Sequence, residues 1–198
     1  HWLDVVRYAD SNGLDENVAH GNAWRYRDYV VNSLNADKPY NQFLVEQIAG
    51  DELIDYENAA TVTPKMVENL VATGFLRMGI DQTGSRTMNF VPERIGVISD
   101  AITVLSSGLM GLTMGCARCH SHKYDAIPHR DYYRFKAIFK GAFDEHDWLT
   151  FKKRSLNVAT TEHRKRVATA NPALLSKLKK QESRLKKAIT QVRVQLLI

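Results

Sequence analysis

Ile95-Gly96-Val97-Ile98-Ser99-Asp100-Ala101-Ile102-Thr103-Val104-Leu105-Ser106-Ser107-Gly108-Leu109-Met110-Gly111-Leu112-Thr113-Met114-Gly115-Cys116-Ala117-Arg118-Cys119-His120 holds the strongest periodicity of the chain and both of its cysteines. Apolar side chains at Ile95, Ile98, Ile102, Leu105 and Leu109 recur every three or four residues. That is the spacing of one helix face and not the two-residue alternation of a strand. A long amphipathic helix is therefore predicted after Pro92. Gly108, Gly111 and Gly115 then carry the backbone toward the cysteines. Residues without a Cβ allow a backbone to lie close against a flat ligand.

The run Cys116-Ala117-Arg118-Cys119-His120 reads C-x-x-C-H, the attachment signature of a c-type haem. Two thiols separated by two residues can each form a thioether with one vinyl group of the same porphyrin. The imidazole that follows, His120, then lies beneath the iron, with its second ring nitrogen left for an orienting hydrogen bond. A disulfide between Cys116 and Cys119 would close a very short loop and add little stability. A thioredoxin-like dithiol is expected beside a β-α-β pattern, which is missing here. Zinc is the stronger rival, because His122 and Asp125 follow closely. Against it, four-ligand zinc sites use two separated ligand pairs, and Cys119, His120 and His122 crowd one another on a single ion.

Outward from this stretch the helical period continues. Trp2, Val5, Val6 and Ala9 form a stripe that Asp10-Ser11-Asn12-Gly13 breaks. Helices are predicted at about 23 to 34 and from about 40 to Gly50. Another is framed by Thr63 as N-cap, Pro64 in the first helical position and Gly74 beyond the end. Periodicity fades between 75 and 90, which reads as a long loop of the kind that often carries function. A further helix starts around Pro128 and presents Tyr132, Phe135 and Phe139 before Gly141. The predicted fold class is mainly α: an irregular multi-helix haem-binding domain with long loops at 1–150. At 151–198 follow a basic linker and an amphipathic, coiled-coil-like helix.

Charge divides the same way. Residues 152–198 carry 13 Lys or Arg against 2 acids, whereas the first 151 carry 14 against 20. A basic tail invites a nucleic-acid reading, but no aromatic side chain follows Phe151 to stack on bases and no recognition module is visible. Leu178, Leu185 and Val192 instead recur every seven residues, with Ile189 and Leu196 on a neighbouring row and lysines between. This is the pattern of a packing or spacer helix. No run of about 18 apolar residues is present to span a bilayer. The chain starts at His1 and stops within a helical pattern, so it reads as part of something longer. Because haem c is attached outside the bacterial inner membrane, the motif implies a periplasmic or otherwise exported protein.

Several further blocks carry a family resemblance. Trp2-Leu3-Asp4-Val5-Val6-Arg7-Tyr8-Ala9-Asp10, Tyr26-Arg27-Asp28-Tyr29-Val30, Pro39-Tyr40-Asn41-Gln42-Phe43, Gln47-Ile48-Ala49-Gly50-Asp51 and Ala72-Thr73-Gly74-Phe75-Leu76-Arg77 precede the motif. Gly111 through Cys116 and His122-Lys123-Tyr124-Asp125 then surround it. Over roughly residues 1 to 145 the chain resembles the planctomycete-type cytochrome c family, and within it the second cytochrome-like domain, a domain of unknown function in large exported proteins. The resemblance implies a preceding cytochrome-like domain, a following planctomycete-specific companion domain and carbohydrate-binding modules nearby. Two positions depart from the family pattern: Ala126, where proline is common, and Ala101, where arginine is frequent.

The expected cofactor is one covalent haem c, held by Cys116, Cys119 and His120. Arg118, Lys123 and Arg130 are candidates to pair with its propionates, and His122 to contact a propionate or to support the site. All five methionines, Met66, Met78, Met88, Met110 and Met114, lie before the motif or abut it, unlike the order in small soluble cytochromes. The sixth-ligand candidates are therefore Met78 and Met88 upstream, and His129, His146 and His163 downstream. Tyr8, Asp10, Tyr26, Arg27 and Asp28 read by default as structural polar residues. Three functions follow. One is electron transfer with a redox partner protein or neighbouring haem domain, no nucleic acid being involved. The second is a haem enzyme with an open iron site and His122 or Asp125 as acid-base group, acting on peroxide, oxygen or a carbohydrate-derived substrate. The third is a zinc-binding module.

Overall fold

Periodicity decides most of the architecture. A computed structural model describes residues 1–11, 18–56, 58–59, 61–85, 87–150, 153–154 and 161–195, with backbone alone at 161–163 and 187–195. Its helices are α1 (Trp2–Val5), α2 (Ala23–Asn35), α3 (Tyr40–Ala49), α4 (Pro64–Ala72), α5 (Val91–Met110), α6 (His129–Ile138) and α7 (Thr161–Gln195). Three 3₁₀ turns accompany them, Thr73–Arg77, Gln82–Gly84 and Met114–Arg118. Among the described residues β pairing is limited to one isolated antiparallel bridge, Ser11 to Ala19. The fold is mainly helical, as the sequence implies. Two compact units are formed, one by His1–Asn58 with Lys65–Asn157 and one by Ala59–Pro64 with Val158–Ile198.

In the first unit α5 is the spine. Pro92 stands in its first turn, where a missing N–H costs nothing, and Gly111 ends it at φ 65°, a left-handed conformation that glycine enters without a Cβ clash. Ile98 and Ile102 face one apolar cluster, with Ala117, Tyr132 and Phe143. Val104 and Leu105 face another, with Val6, Tyr26, Tyr29, Val30, Phe43, Ala72 and Phe75. Leu76, Phe135 and Phe139 pack against both. The predicted stripe is thus the line along which the two halves of the core meet.

The N-terminal stripe is cut short. Only Trp2–Val5 is α-helical, because Arg7 turns left-handed at φ 57°, while its guanidinium pairs with Asp100 of α5 at 3.1 Å. The backbone closes the turn through Tyr8 N–H donating to the Leu3 carbonyl at 2.9 Å. Trp2 Nε1 donates to Gln47 Oε1 at 2.9 Å, and the buried Tyr26 hydroxyl donates to the same oxygen, tying α1, α2 and α3 together. Gly50 also differs from expectation. It keeps right-handed geometry at φ −63°, and its requirement is close approach: a Cβ there would fall 2.3 Å from the Asn69 carbonyl oxygen of α4. Gly74 does not end the helical path, since the chain continues as the 3₁₀ turn Thr73–Arg77.

A buried carboxylate organises the α2–α3–α4 corner. Glu46, 1% exposed, accepts from Lys38 Nζ at 2.5 Å, Lys65 Nζ at 2.8 Å, Gln42 Nε2 at 2.9 Å and the Tyr29 hydroxyl at 2.9 Å. Lys38 and Lys65 also reach Glu68, at 2.7 and 3.3 Å. Burial alone would raise the Glu46 pKa, but the hydrogen bonds from Lys38, Lys65, Gln42 and Tyr29 outweigh it and hold the carboxyl down at about 2.

Within the predicted loop at 75–90, the described residues around Asp81 are tied down by hydrogen bonds. The Asp81 carboxylate accepts from the Thr83 N–H at 2.9 Å and from its hydroxyl, and Trp148 Nε1 donates to Thr83 Oγ1 at 2.8 Å. In the second unit, α7 continues through Pro172. Its leucines Leu174, Leu175, Leu178 and Leu185 are all more than half exposed. The side chains of Ile189 and Val192, and residue Leu196, lie outside the described residues. Among the described residues no helix is long and apolar enough to cross a membrane.

Candidate functional site

The cysteine motif sits on the 3₁₀ turn Met114–Arg118 and the residues just after it. In a 3₁₀ turn side chains three apart lie one above the other. Met114 and Ala117 form one such pair and are buried, at 6% and 0% exposure. Cys116 and Cys119 are also three apart, and both are exposed, unlinked thiols. The turn therefore fastens one face into the core, Ala117 against Ile98 and Ile102 of α5, and turns both sulfurs outward.

His120 follows, exposed, with Nδ1 2.8 Å from the Ser121 carbonyl oxygen. A carbonyl can only accept, so Nδ1 carries the proton and Nε2 presents its lone pair. An imidazole oriented in this way is the usual arrangement of a metal-ligating histidine.

His122 has a different task. Its Nδ1 accepts the backbone N–H of Asp125 at 2.8 Å and of Tyr124 at 3.3 Å. The proton is therefore on Nε2, which donates to Thr113 Oγ1 at 3.0 Å. The threonine hydroxyl donates onward to Asp125 Oδ2 at 3.4 Å. With its side chain 9% exposed and both nitrogens engaged, His122 pins the segment after the motif to the segment before it.

The N-terminus of α6 closes the other side. His129 Nε2 and the Tyr133 hydroxyl both donate to the Arg118 carbonyl, at 3.1 and 3.0 Å, and the His129 N–H donates to Ser121 Oγ at 3.2 Å. Beneath them the buried Tyr132 hydroxyl donates to Ser99 Oγ of α5 at 3.0 Å. Thr113, Ser121 and Tyr133 are site residues that sequence reasoning overlooks, because a hydroxyl carries no motif of its own.

A profile of the PSCyt2 family, described as a protein of unknown function (DUF1549), matches residues 1–143 of the 198. The chain belongs to the PSCyt2 family. No curated protein and no solved structure matches it. The PSCyt2 match includes the whole cysteine motif, its α5 support and α6, and leaves out His146 and α7.

Within this PSCyt2 domain the sequence candidates separate. Cys116, Cys119 and His120 are exposed on the 3₁₀ turn and just after it, while His122 and His129 bond to the segment on either side, at Thr113 and at the Arg118 carbonyl. Arg118 contributes its carbonyl, Lys123 lies 5.2 Å from the Tyr124 ring centroid, and the Arg130 side chain is exposed near Asp131. Met78 packs against the Val6 and Tyr26 cluster, whereas the motif packs into the other one. Met88 stands half-buried in the turn before α5. His146 is exposed in the connection after α6, where its N–H donates to Asp144 Oδ1 at 2.9 Å. The His163 side chain lies outside the described residues. Tyr8 donates to Asp10 at 2.6 Å, and burial together with Asp10 raises its pKa to about 12.

Proposed function

We propose that this PSCyt2 domain is a c-type cytochrome domain of an exported protein, carrying one haem c through Cys116 and Cys119 with His120 as the iron ligand. The observation that carries the reading is the division of the 3₁₀ turn: Met114 and Ala117 buried, Cys116 and Cys119 exposed on another face, and His120 held by Ser121 so that Nε2 is free. Two sulfurs on one accessible face and an adjacent imidazole are the donor set that haem c requires. Bound there, the haem would supply one-electron cycling between ferric and ferrous iron. The resemblance of the flanking blocks to the planctomycete-type cytochromes supports the same reading.

Electron exchange with a redox partner or neighbouring haem domain is the use of such a site that we prefer. The enzyme alternative asks for an acid-base group beside the iron, but His122 has both nitrogens committed to Asp125, Tyr124 and Thr113. That same commitment removes His122 from the ligand set of the zinc alternative. Among the described residues no three His, Cys, Asp or Glu side chains are grouped to hold a metal ion, whereas haem iron asks the protein for one imidazole. Attachment outside the inner membrane places the protein in the periplasm or beyond. Carbohydrate is the further partner class that the family context suggests.

The test is export of the chain to the periplasm of a host that matures c-type cytochromes, followed by haem staining after boiling in denaturant. Stain that stays with the polypeptide, and that disappears in the Cys116→Ser, Cys119→Ser double variant, is the expected result. Colourless protein, with or without stoichiometric zinc, overturns the proposal. On stained protein, ferric haem indifferent to cyanide fits electron transfer, and rapid ligand uptake favours the enzyme.

A further inference from the structure

Away from the motif, two arginines meet at one small cavity. Arg77, at the end of the 3₁₀ turn Thr73–Arg77, lies with its guanidinium carbon 3.7 Å from the Phe143 ring centroid, and its Nη2 donates to the Ala142 carbonyl. Arg154 lies over Trp148 at 4.4 Å, donates through Nε to the Leu149 carbonyl and through Nη1 to Asp81 Oδ2 at 3.2 Å. Among the described residues each keeps one buried guanidinium nitrogen, Nη1 of Arg77 and Nη2 of Arg154, with no hydrogen-bond partner. Both residues line the same cavity of about 20 Å³, with Asp81 and Gly79 beside them and Val97 and Ala101 of α5 among its apolar walls.

Among the described residues that line this cavity the charges do not balance. Two guanidiniums face one carboxylate, and buried charged donors left without acceptors are among the costlier defects a fold can contain. Burial, followed by repulsion from Arg154, lowers the Arg77 pKa to about 9. A water molecule can accept hydrogen bonds but brings no charge. A monovalent anion supplies acceptors for both free nitrogens and cancels the excess. The cavity volume admits a single small ligand and no more.

We propose that Arg77 and Arg154 enclose a binding site for one small monovalent anion of chloride size. Ala101 makes room for it, since a longer side chain at that place in α5 fills the cavity. The site stands apart from the cysteine motif, and its test needs no haem.

The experiment measures the thermal midpoint of the full chain at constant ionic strength while chloride replaces gluconate, an anion too large for the cavity. A saturable rise with chloride and with bromide is expected. The rise is lost in Arg154→Gln and in Ala101→Leu, the second of which keeps both arginines. Crystals grown in bromide should show anomalous density touching Arg77 and Arg154. An equal midpoint in both salts, a chloride effect that survives in Ala101→Leu, or density without anomalous signal overturns the proposal.

Discussion

Replacing Glu46 by glutamine tests the central electrostatic claim about the fold. The carboxyl is 1% exposed and receives four hydrogen bonds, two of them from ammonium groups, at 2.5 and 2.8 Å. Its pKa falls from the ordinary value of 4.5 to about 2, because hydrogen bonds from Lys38, Lys65, Gln42 and Tyr29 overcome the opposing effect of burial. That shift corresponds to about 3 kcal/mol of favourable coupling in the ionised form. Glu46→Gln keeps the shape and an acceptor oxygen but leaves Lys38, with a side chain 10% exposed, with Glu68 as its one carboxylate partner among the described residues. The expected loss at neutral pH is about 3 kcal/mol, within the range for breaking a buried pair from one side.

A carboxylate whose folded pKa is depressed contributes stability that is fully present above the unfolded pKa and disappears as pH falls through the folded one. The wild-type advantage should therefore be complete above 4.5 and shrink steadily toward about 2. Urea unfolding followed by circular dichroism, for both proteins across that interval, measures it. Glu68 shares Lys38 and Lys65 with Glu46, so the difference between the two proteins reports the pair of carboxylates as one coupled network. A variant within about 1 kcal/mol of wild type at neutral pH, the level of an ordinary exposed ion pair, would refute the reasoning. So would a difference that stays constant as the pH drops.

Three more outcomes are expected. Gly50→Ala places a methyl 2.3 Å from the Asn69 carbonyl oxygen and should cost about 1–3 kcal/mol or more in urea unfolding, because the obstacle is backbone; a neutral result would show that α3 and α4 separate freely. His122→Ala should leave the overall stability within about 1–2 kcal/mol of wild type but speed hydrogen exchange at the Asp125 and Tyr124 amides, which donate to Nδ1. Unchanged exchange there would contradict the pinning role. Tyr132→Phe removes the buried bond to Ser99 and should destabilise by about 1 kcal/mol, and the Tyr132→Phe, Ser99→Ala pair by less than the sum of the two single changes.

Sequence alone determined the helical class and the α5 stripe, because burying one side of a helix needs only a repeat of three to four residues, and Ile98, Ile102 and Leu105 carry it locally. It also singled out Cys116, Cys119 and His120, whose spacing along the chain is itself the signal. Left-handed Arg7, the close approach at Gly50, the anchoring of Asp81 and Thr83 and the hydrogen bonds of His122 were not legible. Each depends on a partner distant in the chain or in another element: Asp100, Asn69, Trp148 with Arg154, and Thr113. Only tertiary structure decided that His129 lies at the motif while Met78 packs elsewhere, and that two arginines 77 positions apart share one cavity with a single carboxylate among its described lining residues. Periodicity records which side of a helix avoids water, but hydrogen bonds and charge balance depend on distances that exist only once the chain has closed on itself.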